Sequence, residues 1–113
     1  DLVDFDAFSS PLPVMIKFFE KYKIKKQLLV GLTDGFPAST NRIMPDKKLF
    51  EAHLMKHGYP LVSRKGKTQR KIFENSMDLF IGKLAKKHNF KYEKILVTQN
   101  AKWTIYFAYR FFP

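Results

Sequence analysis

The sequence contains no cysteine among its 113 residues. A disulfide framework, a cysteine-ligated zinc site and a thiol nucleophile are therefore excluded. The same absence fits a reducing setting inside the cell, cytoplasmic or nuclear. Glycine occurs only five times, and no glycines stand at the spacing of a phosphate-cradling loop. No motif for a cofactor is present, and none is expected. No apolar stretch approaches the roughly 18 residues that a membrane span needs, so no membrane partner is expected either. Internal repeats, heptads and low-complexity tracts are also lacking. Acid is the scarcer charge: ten Asp and Glu stand against 21 Lys and Arg, a formal net charge of +11.

What the chain does have is material for a core. Hydrophobic residues make up 45% and aromatic residues 16%, with Phe alone appearing 12 times, which argues against disorder. The length fits one domain over 1–113. The chain opens on Asp1 without a methionine, as an excised domain or a processed chain would. Asp1 to Phe8 mixes acids with large apolar residues and reads as a short helix or an N-terminal arm, within 1–10, packed on the basic body.

Ser10 is placed to cap a first helix, expected over about 11–28, with proline in its first turn. Val14, Ile16, Phe18, Phe19 and Tyr22 give it a broad apolar face. Lys21, Lys23, Lys25 and Lys26 crowd its second half, where cations suit the C-terminal dipole. Gln27 to Leu32 either ends that helix or forms a short buried strand, since periodicity cannot decide so short a run. A polar loop over 33–41 leads to a second helix over about 46–57, which Gly58 stops. Tyr59 to Ser63 is extended, and Pro60 confines it to an edge or a loop. The most regular helix follows over 69–88, its core stripe formed by Ile72, Phe73, Met77, Phe80, Ile81 and Leu84. Its outer face carries Glu74, Asn75, Asp78, Lys83, Lys86 and Lys87, and Asn89 can close it in the left-handed conformation. Tyr92 to Thr98 and Lys102 to Phe112 read as a β-hairpin. Trp103, Ile105, Phe107, Tyr109 and Phe111 alternate onto one of its faces. The fold class is α+β, a small helix-rich domain with a C-terminal hairpin, and the order of elements matches a winged-helix arrangement.

The candidate site is the run Arg64-Lys65-Gly66-Lys67-Thr68-Gln69-Arg70-Lys71, which holds five basic residues and no acid. A helix N-terminus carries about +0.5 charge and unpaired N–H groups, so acids are usual there. Arg70 and Lys71 instead put cations on the positive end of the dipole. A bound polyanion reverses the sign of that arrangement, because dipole, N–H groups and side chains would all favour phosphate. Arg64, Lys65, Lys67, Thr68, Gln69, Arg70, Lys71 and Asn75 are accordingly the expected nucleic-acid contacts, with Gln69, Arg70 and Asn75 able to reach base edges. The plainer alternative is a solvated loop whose lysines serve solubility, and Glu74 and Asp78 restrict any phosphate approach to the helix start.

Rival chemistry has less support. His53 and His57 stand one helical turn apart, but Leu54 occupies the position where a zinc-protease motif needs Glu, and no third ligand follows at a diagnostic spacing. No metal is expected. A small basic endoribonuclease using His53, His57, Arg70 and a tyrosine is the catalytic alternative. The C-terminal strand, bulky on both faces, offers a third reading. Tyr106, Phe112 and Trp103, with Arg110 and Lys102, could stack bases, pack into the core, or join two copies as a homodimer. The expectation is non-catalytic nucleic-acid binding of the transcription or replication factor type, to DNA rather than RNA.

Overall fold

The computed structural model describes residues 2–6, 11–34, 55–56, 58–63, 65–66, 69–99 and 105–113. The described residues form four strands and two long helices. In chain order these are β1 (Leu2–Asp6), α1 (Leu12–Lys21), β2 (Leu28–Asp34), α2 (Gln69–His88), β3 (Lys91–Gln99) and β4 (Ile105–Phe112). The strands make one mixed sheet in the order β1-β2-β4-β3. β1 and β2 run parallel, with Leu2 opposite Leu29 and Phe5 opposite Leu32. β4 is antiparallel to both of its neighbours.

Alternation along β4 divides the sheet into two faces. Ile105, Phe107, Tyr109 and Phe111 are fully buried, and the residues between them are half-exposed. Both helices cover the buried face. Phe19 of α1 lies 5.6 Å from Phe111, and Phe73 of α2 lies 5.9 Å from Phe107, centroid to centroid. Leu12, Met15 and Phe19 are the residues that α1 buries, a stripe at helical spacing. The wider apolar face that the sequence suggests is only partly used, because Val14 and Ile16 lie on the exposed side.

Several boundaries differ from the sequence reading. Leu2–Asp6 is a strand packed on the body through β2, not a short helix. α1 ends at Lys21, where Tyr22 turns to extended backbone, so Leu28–Asp34 is free to pair on both edges as β2. Pro11 occupies the cap position of α1 without a side-chain cap bond. Ser10 and most of the helix expected over 46–57 lie outside the described residues. Gly58 adopts φ +87 and donates its N–H to the Met55 carbonyl at 3.1 Å, the turn that a helix-stopping glycine makes.

α2 matches its expected bounds, and all six residues of its predicted stripe are buried. It ends as anticipated. Asn89 has φ 57, and Phe90 donates back to the Ala85 carbonyl at 3.0 Å, the longer bond of a Schellman closure. The hairpin is present as β3 and β4, but it does not stand apart. β4 is an interior strand with β2 on its other edge, so the architecture is a mixed four-stranded sheet with helices on one side. No helix among the described residues is long and apolar enough to cross a membrane.

Candidate nucleic-acid interface

Three contacts fix the start of α2 to the body of the protein. Tyr59 is buried and packs its ring 4.9 Å from Phe73. The buried Ser76 hydroxyl donates to the Pro60 carbonyl at 2.5 Å, tying the extended segment 59–63 to the second turn of the helix. The apolar stripe beginning at Ile72 seats the same turns on the sheet. What remains outward is basic. Lys65 is exposed in a turn whose Gly66 has φ +69, with no atom of the described residues within 4 Å of where a Cβ would lie. Arg70 and Lys71 are both exposed, and the first turn of α2 contains no acidic residue. Lys71 Nζ is 3.9 Å from Glu74 Oε1 with its side chain 55% exposed, a separation at which an ion pair contributes little. Asn75, one turn beyond Lys71, is half-buried. Gln69 is the first residue of α2. Arg64, Lys67 and Thr68 lie outside the described residues, as do His53 and His57.

Of the two acids that obstruct this face in the sequence, Asp78 is turned away from it and Glu74 stands between Lys71 and the sheet. Lys94, on β3, reaches Asp78 Oδ2 at 2.7 Å and Glu74 Oε1 at 3.3 Å. Tyr109 donates its hydroxyl to the other Asp78 oxygen at 2.6 Å. Both carboxylates are thus directed into the seam between α2 and the sheet. Partial burial works to lower the Lys94 pKa, but the hydrogen bonds and charges of Asp78 and Glu74 outweigh it and hold the ammonium above its ordinary value. Burial raises the Tyr109 phenol far above its normal range, and the hydrogen bond to the Asp78 carboxylate adds to the shift. A cation inserted between two acids cancels about half of their charge toward an approaching phosphate. Sequence reasoning missed Lys94, because nothing local marks a lysine on an exposed strand as the partner of a helix sixteen residues away.

The chain matches no protein-family model and no curated protein.

A second basic group gathers at the opposite end of α2. Lys21 at the end of α1, Lys23 just beyond it and His88 from the end of α2 border, with Glu20, one hollow of about 210 Å³, walled by Phe19, Tyr22 and Phe90. Lys83 and Lys87 flank a shallow groove between the helices over Ile16, Phe80 and Leu84. Lys21 and Lys87 sit in the last turns of their helices, whose negative dipole ends they complement, so their placement stabilises the fold with no ligand bound. Arg70 and Lys71 oppose the dipole, and that difference separates the two groups. Among the described residues no three His, Asp or Glu side chains gather as metal ligands.

Proposed function

We propose that the protein binds nucleic acid without catalysis, duplex DNA in preference to RNA, through Lys65, Arg70 and Lys71. Arg64, Lys67 and Thr68 extend the same contact and Gln69 and Asn75 read base edges. The observation that carries this is the exposed Arg70–Lys71 pair in an acid-free first helical turn. Each such cation costs about 0.3–1 kcal/mol against the dipole when exposed, and phosphate turns that cost into attraction. The diversion of Glu74 and Asp78 to Lys94 supports the reading, since it relieves the repulsion those acids would exert. Such a protein would serve as a transcription or replication factor wherever duplex DNA resides, cytoplasm or nucleus.

The finer reading, a winged-helix mode with α2 in the major groove and the hairpin as wing, requires a hairpin free to touch DNA. Because β4 is held inside the sheet, only the β3 side and the tip remain for that role. The test is a titration against duplex DNA at 50 and 200 mM salt. The Arg70→Ala/Lys71→Ala variant should bind more weakly and show a salt slope shallower by up to about 2, roughly 0.9 for each phosphate no longer neutralised. Its melting temperature should stay level or rise slightly. Binding that ignores salt, or a double variant that binds like the parent, overturns the proposal.

A further inference from the structure

Charge along α2 is sorted by position. Arg70 and Lys71 open the helix, and Lys83, Lys86 and Lys87 stand toward its far end. Between them the charged residues are the acids Glu74 and Asp78, both held on the sheet side by Lys94 of β3. The outward stripe runs through Lys71, Asn75, Leu79, Gly82 and Lys86, whose spacings of four, four, three and four keep it straight on a helix of 3.6 residues per turn. Lys71, Leu79 and Lys86 are exposed, as is Lys83 beside them, while Asn75 and Gly82 are half-buried. At 1.5 Å per residue, Lys83 and Lys86 stand about 18–22 Å from Lys71 along the axis.

Given the proposed contact of duplex DNA at the start of α2, on which this rests, we infer that α2 lies across the major groove and that Lys83 and Lys86 hold the second phosphate strand. Cations at both ends with neutral and acidic residues between them match a groove in section, with a phosphate rim on each side and base edges in the middle. The major groove is about 12 Å wide. Cations farther apart than that stand over its two rims and leave Asn75 and Leu79 above the bases. Asn pairs with adenine, and an apolar side chain meets the thymine methyl. A phosphate chain running along the helix would instead pass Glu74 and Asp78. Nor does the stripe carry an aromatic ring on which single-stranded bases could stack.

The flanks agree with this occupant. Around the stripe Arg70, Lys71, Lys83, Lys86, Lys87 and Lys94 outnumber Glu74 and Asp78. On the α1 side Lys83 and Lys87 border the groove over Ile16, and Glu20, the acid of α1, is flanked by Lys17 and Lys21. Lys86 and Lys87 also complement the dipole in the last turn. Lys83 stands ahead of that turn, so the helix end does not account for it.

Fluorescence anisotropy at 50 and 200 mM salt tests the inference, with a labelled mixed-sequence duplex of about 20 bp and with one of its strands alone. Lys83→Ala/Lys86→Ala should weaken duplex binding and remove up to two phosphates from the salt slope. The affinity lost between the two salts should then shrink by up to about twelvefold. Combined with Arg70→Ala/Lys71→Ala, the two reductions in slope should add, because the two ends hold different strands. Lys25→Ala/Lys26→Ala removes the same charge from the exposed segment after α1 and should leave the slope unchanged. If Arg70→Ala/Lys71→Ala weakens binding and Lys83→Ala/Lys86→Ala does not, the second contact is refuted while the nucleic-acid reading stands. A parent that binds no duplex overturns both. Reductions that fail to add, an equal loss in Lys25→Ala/Lys26→Ala, or a single strand bound as tightly as the duplex would each overturn the groove-spanning inference.

Discussion

Removing the Asp78 carboxylate should be among the most damaging polar substitutions in this protein, and the structure gives its size. Asp78 accepts from Tyr109 at 2.6 Å and from Lys94 at 2.7 Å. Tyr109 is a fully buried central-strand residue. In Asp78→Ala its hydroxyl would be stranded in the core, at a cost of about 1–3 kcal/mol. Lys94 would keep Glu74 at 3.3 Å, and its side chain is 32% exposed, so that loss stays below about 1 kcal/mol. The sum is roughly 1–4 kcal/mol, and at about 4 °C per kcal/mol for a domain near this size the melting temperature should fall by about 4–16 °C. Thermal and urea denaturation followed by far-UV circular dichroism measure it. Tyr109→Phe removes the stranded donor, so in that background Asp78→Ala should cost only about 1 kcal/mol. An Asp78→Ala penalty that is as large in the Tyr109→Phe background would refute the reasoning, because the buried hydroxyl would then not be its source.

Further predictions concern pH and the helix terminus. Tyr109 and Lys94 both hold their protons more tightly folded than at their ordinary values of 10.0 and 10.5. The stability they contribute is therefore complete below about pH 10 and declines as pH rises beyond it. Urea midpoints from pH 7 to 11.5 should fall only in the alkaline part of the range, and less steeply in Tyr109→Phe. A decline already under way at pH 8 would contradict this. At the end of α2, Asn89→Gly should be neutral or slightly stabilising and Asn89→Ala destabilising by about 1 kcal/mol, because φ 57 is easy for glycine and strained for a residue with a Cβ. Equal melting temperatures for the two variants would show that this terminus bears no such strain.

The parts of the fold legible in the sequence are those specified locally. α2 could be read from a stripe at helical spacing and from an asparagine able to turn left-handed. The hairpin could be read from two β-rich runs around a short polar turn. α1 is shorter than expected because Gln27 to Leu32 carries no periodicity of its own, and its strand state comes from pairing with β1 and β4. The Leu2–Asp6 strand has the same origin, since a parallel partner beyond a helix leaves no local mark. In the candidate site, the basic run was legible because charge is compositional. The orientation of Glu74 and Asp78 was not, because helical spacing alone placed them outward while their partners Lys94 and Tyr109 come from other elements.

The pairing of β2 with β4 also bears on how the chain reaches its structure. Leu28–Asp34 meets Ile105–Phe112 only after the loop holding α2 and β3 has closed. Closing a longer loop adds little to the equilibrium cost, about 0.6 kcal/mol for each doubling, but reliance on distant pairing slows the search. Until β4 arrives, β2 and β3 have no common neighbour, and the aromatic residues destined for the core have no second wall. A chain interrupted before Ile105 would therefore present β2 and β3 as two open edges, in a state more prone to aggregate than to bind.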